Sequence, residues 1–154
     1  GRKHVLRLIR ELLAFKPEGR GTDLGLALDY LNRVQKRRSV VFLISDLLSE
    51  GWERSLKVAN RKHDTVLVWT GDRRESQLPP VGLIQFEDAE SGETILLDTS
   101  DPGVLRSLQD QSKEEAAEVD RSLKRLKVDS VRVETGEDYL APLVKLFERR
   151  ARSY

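Results

Sequence analysis

The sequence predicts a three-layer α/β domain, in which helices cover both faces of a parallel sheet. Two continuous apolar runs, residues 39–46 and 65–70, are typical of strands buried inside such a sheet. Residues 52–60, which lie between them, have helical periodicity, so the three segments form a βαβ unit with parallel strands. With 154 residues the chain fits a single domain.

The first part of the chain predicts two amphipathic helices. Apolar residues recur at three- and four-residue spacing over residues 2–15 and again over residues 24–34. Either Thr22 or Asp23 is expected to cap the second helix, because a side-chain oxygen there can accept hydrogen bonds from the amides of the first turn.

The first apolar run is the stretch around which the other segments are arranged. Five apolar residues follow one another from Val40 to Ile44, which predicts a strand buried on both faces. Asp46 stands at its carboxyl end, the edge at which open α/β sheets bind ligands. Asp46 is therefore a candidate site residue, and the alternative is a loop aspartate that caps the next helix.

After the second run, the pattern changes to a β-hairpin. Residues 81–87 and 93–98 predict its strands, and the polar residues 88–92 between them predict the turn. A hairpin within an alternating βαβ pattern indicates an insertion at the margin of the sheet.

The last third of the chain returns to helix, strand and helix. Ser100-Asp101-Pro102 places a cap before a proline, which predicts the start of a long helix over residues 102–127. Residues 130–134 alternate between apolar and polar, as an edge or near-edge strand does. A final amphipathic helix is predicted over residues 139–147.

Composition narrows the classes of partner. Charged residues make up 34% of the chain but the net charge is +1, which argues against nucleic acid as a partner. No apolar run reaches the roughly 18 residues of a membrane span, so no membrane contact is predicted for this segment. The chain has no cysteine, which suits a reducing compartment, and we expect a cytoplasmic location.

Two short motifs carry a resemblance to a known family. Gly21-Thr22-Asp23 precedes a helix, and the following strand ends in Ser45-Asp46. This combination resembles the second half of a von Willebrand factor A domain, a Rossmann-like fold. Residues 3–46 together with 98–102 and 137–140 are similar to uncharacterised bacterial A-domain-like proteins associated with MoxR-type AAA+ ATPases, and the resemblance covers essentially the whole chain.

The resemblance implies a metal-ion-dependent adhesion site, in which Thr22 and Asp46 match two of the metal ligands. The principal Asp-x-Ser-x-Ser loop of such sites has no match in this chain. We therefore interpret residues 1–154 as the C-terminal part of a single A-like domain whose N-terminal strands lie upstream, an interpretation that the lack of methionine at position 1 favours. The longer protein would use Mg²⁺ or another divalent cation.

One hydroxyl and one carboxylate make only part of the roughly six-ligand shell of Mg²⁺, so we expect no tight Mg²⁺ binding by this chain alone. The resemblance also implies that the strand ending at Asp46 lacks a neighbour. Unpaired strand edges recruit other strands, which predicts a homodimer through the exposed sheet edge.

The function predicted first is a non-catalytic protein-interaction module that engages a protein partner, with a AAA+ ATPase as the implied partner. The alternative is a metal-assisted, phosphate-handling hydrolase that uses Asp46, with the loop of residues 19–22 around the anion. No zinc site is predicted, because His4 and His63 have no ligand-spaced neighbours and are expected to be surface or partly packed residues.

Overall fold

The computed structural model describes residues 1–16, 21–72, 78–87 and 94–152. Helix α1 spans Arg2–Ala14 and helix α2 spans Leu24–Val34. Strand β1 (Val40–Ser45), helix α3 (Trp52–Lys62) and strand β2 (Asp64–Gly71) follow. The second half holds strands β3 and β4, helix α4, strand β5 and helix α5, whose bounds are Leu83–Glu87, Thr94–Asp98, Pro102–Leu126, Asp129–Glu134 and Leu140–Ala151.

The predicted βαβ unit is confirmed. Strands β1 and β2 are parallel, with Phe42 opposite Val66, and β5 joins β2 on its other side, also parallel. The strand order is β1-β2-β5, so β2 is central and β1 lies at an edge. The fold is thus a mixed α/β fold built on a three-stranded parallel sheet.

Helices lie on both faces of this sheet. On one face, α2, α3 and α4 surround Leu67 of β2 with a buried apolar core: Leu24, Leu28, Leu47, Trp52, Leu56, Ala59, Leu123 and Val128. On the other face, α5 packs through Phe147, whose ring centroid lies 6.1 Å from that of Phe42. The Arg150 guanidinium binds Asp64 and Asp129, the first residues of β2 and β5, and so fixes α5 to the sheet.

The prediction that β1 is buried on both faces is wrong. Val41 and Leu43 are half-buried toward the main core, but Val40, Phe42 and Ile44 point to the opposite face and are 59%, 52% and 67% exposed. The reason is the edge position of β1, because α5 packs mainly against β5 at the opposite edge of the sheet. A continuous apolar run therefore coexists here with an alternating burial pattern.

The hairpin prediction is confirmed, since β3 and β4 are antiparallel with Gln85 opposite Leu96. They form a separate two-stranded sheet, and the predicted turn at residues 88–92 lies outside the described residues. The hydroxyl of Thr99, a fully buried residue, donates to the Gly82 carbonyl and accepts from the Val81 amide, which closes the open end of the hairpin.

Helix α1 stands apart from the core. Every residue from Gly1 to Lys16 is exposed, including the apolar side of α1. The apolar side of α1 is therefore not buried against any of the described residues. None of the described helices is long and apolar enough to cross a membrane.

Candidate functional site

Asp46 lies at the carboxyl edge of the parallel sheet, as predicted. It directly follows β1, and the last residue of that strand, Ser45, pairs with Trp69 of β2. The Asp46 side chain is exposed, and its Oδ1 accepts a hydrogen bond of 3.3 Å from the Leu48 amide. The carboxylate thus organises its own loop while it remains accessible from solvent.

The next residue, Leu47, has an unusual backbone. Its φ is 62°, in the left-handed region that non-glycine residues rarely adopt, yet its side chain is only 4% exposed and belongs to the main core. The Leu47 amide donates a hydrogen bond of 3.1 Å to the Ser45 hydroxyl. Burial of the leucine therefore holds a strained turn immediately beside Asp46, and strain of this kind concentrates at functional sites.

Trp69 links the ends of the two paired strands. Its indole Nε1 donates 3.1 Å to the backbone carbonyl of Asp46. The guanidinium of Arg132, on β5, lies over the indole with 4.6 Å between Cζ and the ring centroid, and Arg132 Nε lies 3.3 Å from a carboxylate oxygen of Glu134. All three strands therefore contribute to one cation–π and hydrogen-bonded arrangement at this edge.

Thr22 is exposed, and Asp23 rather than Thr22 caps α2, since its Oδ1 accepts 2.7 Å from the Leu26 amide. The first turn of α2, three residues after Thr22, lies beside Gly51 at the end of the loop that follows Asp46. A Cβ added at Gly25 would come within 3.5 Å of the Gly51 carbonyl oxygen, so these two backbones approach closely where Gly25 has no side chain. Asp46 lines the cleft that opens at this edge of the sheet, and Thr22 does not.

A cleft of about 550 Å³ opens at this edge. It is bounded by the loop after β1, the start of α3, the end of β2, α4 and Arg132 of β5. Trp52 and Trp69 are the aromatic residues that line it. Most of the polar lining residues are acidic: Asp46, Glu50, Glu53, Asp72, Glu115 and Glu118. The cleft volume falls in the range of small-ligand sites, and its charge favours cationic groups.

The donors do not complete a metal site within the described part of the chain. Among those residues, no group of three or more histidine, aspartate or glutamate side chains is placed to hold an ion. Thr22 and Asp46 would provide one hydroxyl and one carboxylate, whereas Mg²⁺ takes about six oxygen ligands. The pair can contribute to a magnesium shell but cannot form one without further ligands.

The two histidines differ in their environments. His4 is exposed on α1, where Arg7 Nη2 lies 3.3 Å from its Nδ1. His63 is 1% exposed, so the expectation of a surface or partly packed residue is wrong for His63. It ends α3 through a backbone hydrogen bond to Ala59 and enters the interior because β2 begins at the next residue.

Sequence reasoning identified Asp46 but missed Leu47, Trp69 and Arg132. Trp69 lay within a recognised apolar run, and its position opposite Ser45 depends on the register of two strands separated by a helix. Arg132 lay within a recognised alternating strand. The signal that could have found both was their placement near the carboxyl ends of strands already assigned to the same sheet.

Fold and site together define an α/β protein with an acidic, tryptophan-lined cleft at the carboxyl edge of a parallel sheet. The chain belongs to the family described as "Protein of unknown function DUF58", whose model matches residues 1–118.

The chain is also similar to curated mycobacterial proteins. The uncharacterized protein Mb1516 of Mycobacterium bovis and the uncharacterized protein Rv1480 of Mycobacterium tuberculosis are each 29% identical to it over 155 residues. These alignments cover 99% of this chain and 49% of each relative, so the chain spans about half the length of those relatives. An uncharacterized Mycobacterium avium protein is 28% identical over 137 residues, which are 88% of this chain and 80% of the relative. No solved structure matches the chain.

Proposed function

We propose that this chain is a non-catalytic protein-interaction module of the von Willebrand factor A type, which works in the cytoplasm with a MoxR-type AAA+ ATPase. The observation that carries the proposal is the cleft at the carboxyl edge of the sheet. The loop that follows β1 forms one side of this cleft, and Asp46 is exposed there beside a turn that is held by buried Leu47. A preorganised, accessible acid at this edge suits recognition of a partner's side chain.

The acidic lining decides how a partner can bind. Among the described residues that line the cleft, six carry a carboxylate and one, Arg132, carries a guanidinium, so these residues would repel a bare partner carboxylate. In the proposal, the whole protein holds a divalent cation to which Thr22 and Asp46 contribute oxygen ligands, and this cation supplies the positive charge that a partner's carboxylate needs. The resemblance of residues 3–46 to proteins associated with MoxR-type ATPases supports the choice of partner.

The test is a binding measurement between the full-length protein and the purified MoxR-type ATPase of the same organism, by biolayer interferometry in Mg²⁺ and in EDTA. We expect binding in Mg²⁺ that EDTA weakens. Asp46→Ala should weaken it at least about tenfold, which corresponds to about 1.4 kcal/mol. Asp110→Ala, which removes an exposed carboxylate on α4, is the matched control and should leave binding unchanged. Equal binding by the Asp46 variant and the control would contradict the proposal.

The hydrolase alternative is tested with the same proteins. Phosphatase and ATPase activities of the full-length protein are compared with those of its Asp46→Ala variant. We expect neither protein to hydrolyse phosphate esters or ATP above the background of a mock purification. An activity that Asp46→Ala abolishes, while Asp110→Ala retains it, would favour the hydrolase and overturn the non-catalytic assignment.

A further inference from the structure

The cleft at the carboxyl edge of the sheet has one basic side chain among its described lining residues, that of Arg132. Arg132 lies on β5, at the opposite edge of the sheet from β1, so a strand added beside β1 in the longer protein would not contact it. Its side chain is 48% exposed. The surroundings of this guanidinium are therefore set by β2 and β5 and not by the open side of β1.

Three neighbours fix the position of the Arg132 guanidinium. Its Cζ lies 4.6 Å from the ring centroid of Trp69, the residue directly opposite it on β2. Its Nε lies 3.3 Å from a carboxylate oxygen of Glu134. A Cβ added at Gly71 would come within 3.8 Å of Arg132 Nη2, so the guanidinium extends over the end of β2 where Gly71 has no side chain. The group is thus oriented before any ligand binds.

The outer nitrogens of Arg132 are not used by the fold. Within the described ranges, Arg132 pairs with Glu134 through Nε, and neither Nη nitrogen has a carboxylate or hydrogen-bond partner. The two Nη nitrogens carry four N–H donors. An arginine that is stacked on an aromatic ring with these donors free is suited to bind a carboxylate or a phosphate. The acidic lining of the cleft disfavours a phosphate of nearly two negative charges more than a carboxylate of one.

We propose that Arg132 binds a second carboxylate of the partner protein and so determines which acidic segments the cleft accepts. The inference rests on the proposed function, in which a first carboxylate binds the cation held beside Asp46. Asp46 follows β1 and Arg132 lies on β5, two strands away, which gives a separation of about 10 Å at the usual strand spacing. The partner segment therefore presents two carboxylates about 10 Å apart, as acidic residues seven positions apart on a helix do.

The test is binding of the full-length protein to the purified MoxR-type ATPase in Mg²⁺, by biolayer interferometry. Arg132→Met keeps an unbranched side chain on Trp69 but removes the charge, and it should weaken binding at least about tenfold. Arg132→Lys keeps the charge without the planar donor pair and should weaken binding at least about threefold. The control is Arg121→Met, which changes an exposed arginine of α4 outside the described cleft lining and should leave binding unchanged. Circular dichroism verifies that the variants are folded.

A double-mutant cycle distinguishes a contact with the partner from a role in holding Trp69. Each exposed aspartate and glutamate of the ATPase is changed to alanine in turn. One of these changes should weaken binding to the wild type but not to Arg132→Met, because that variant has already lost the contact. Binding by Arg132→Met should remain sensitive to EDTA, since Asp46 is intact. Losses that are additive for every acidic residue of the ATPase would assign Arg132 to holding Trp69 and overturn the proposal.

The outcomes also separate this inference from the proposed function. Binding that requires Mg²⁺ and Asp46 but is unchanged in Arg132→Met would overturn the role of Arg132 and leave the proposed function standing. Binding that is lost when the ATPase is treated with a protein phosphatase would show that the ligand is a phosphate, and would overturn the carboxylate assignment. A wild-type protein that does not bind the ATPase would overturn both.

Discussion

The indole Nε1 of Trp69 donates a hydrogen bond of 3.1 Å to the backbone carbonyl of Asp46. This bond joins the last part of β2 to the loop that follows β1, and it fixes the residue most central to the candidate site. The Arg132 guanidinium on the face of the same ring keeps the indole in place from the third strand. The position of Asp46 therefore depends on a side chain 23 residues later in the sequence.

Trp69→Phe removes the hydrogen-bond donor and retains an aromatic ring. We expect the free energy of unfolding to fall by about 1 kcal/mol, the usual net contribution of one hydrogen bond. Amide exchange at Leu47 and Leu48 should become faster than in the wild type, because the loop loses its link to β2. Arg132→Met leaves the hydrogen bond in place and serves as the comparison. If loop exchange is the same in Trp69→Phe and wild type, the bond does not hold the loop.

At Leu47 we expect the alanine and glycine variants to differ in stability in the reverse of the usual order. Replacing a buried leucine by alanine typically costs about 2–5 kcal/mol, and a further change to glycine in a helix costs about 1 kcal/mol more. At Leu47 the backbone is left-handed, with φ at 62°, so glycine relieves strain that alanine retains. We expect Leu47→Gly to be more stable than Leu47→Ala in urea denaturation.

Leu28 is the matched control, since it is equally buried but lies within α2. There we expect the ordinary order, with Leu28→Gly less stable than Leu28→Ala. The same order at both positions would mean that the Leu47 turn carries no strain.

Local patterns predicted most of the elements. Apolar spacing placed α2, α3 and the βαβ unit close to their observed bounds, and Asp101 before Pro102 marked the start of α4, where its carboxylate accepts from the Gly103 amide. These features depend on residues within one or two turns of each other, so a single sequence contains them.

The features that were missed depend on distant partners. The exposure of Phe42 follows from the strand order and from where α5 lies, neither of which alters the apolar run itself. The left-handed turn at Leu47 is held by core packing, and leucine is not a residue that signals it. The contact between Trp69 and Asp46 depends on strand register across the βαβ unit.

The 154-residue chain by itself should not bind Mg²⁺ tightly. The residues matched to ligands, Thr22 and Asp46, supply too few oxygens for a tight site. Titration calorimetry with MgCl₂ should therefore show no submicromolar binding, and Asp46→Asn should give the same isotherm as the wild type. A submicromolar dissociation constant that Asp46→Asn abolishes would show that this chain completes the shell by itself.

Arg150 should matter far more for stability than its neighbour Arg149. Its side chain is 10% exposed and contacts both Asp64 and Asp129, whereas that of Arg149 is 64% exposed and lies 3.4 Å from Asp129. Arg150→Gln leaves two carboxylates without a buried cation, and we expect a loss of about 2 kcal/mol. Arg149→Gln should cost less than about 1 kcal/mol, as exposed ion pairs do. Equal losses in guanidinium chloride unfolding would rule out the bridging role of Arg150.

The link between Asp98 and Ser100 predicts a pH-dependent contribution to stability. The Ser100 hydroxyl, and to a lesser extent the Ser100 amide, donate to the Asp98 carboxylate and hold its pKa below the ordinary value for an aspartate. A pKa that is lower in the folded than in the unfolded chain stabilises the fold above the unfolded pKa, about 4, and this stabilisation disappears as pH falls through the folded pKa.

Ser100→Ala removes the hydroxyl hydrogen bond, which lowers the pKa of Asp98 more than the amide hydrogen bond does. The pKa of Asp98 should therefore rise in this variant, as followed by NMR titration of its carboxyl carbon. The difference in unfolding free energy between wild type and variant should be largest above about pH 4 and should shrink below it. Ser107→Ala, on an exposed part of α4, is the control and should leave the Asp98 titration unchanged. A stability difference that stays constant from pH 7 to pH 2.5 would show that Ser100 acts through packing or turn geometry rather than through the charge on Asp98.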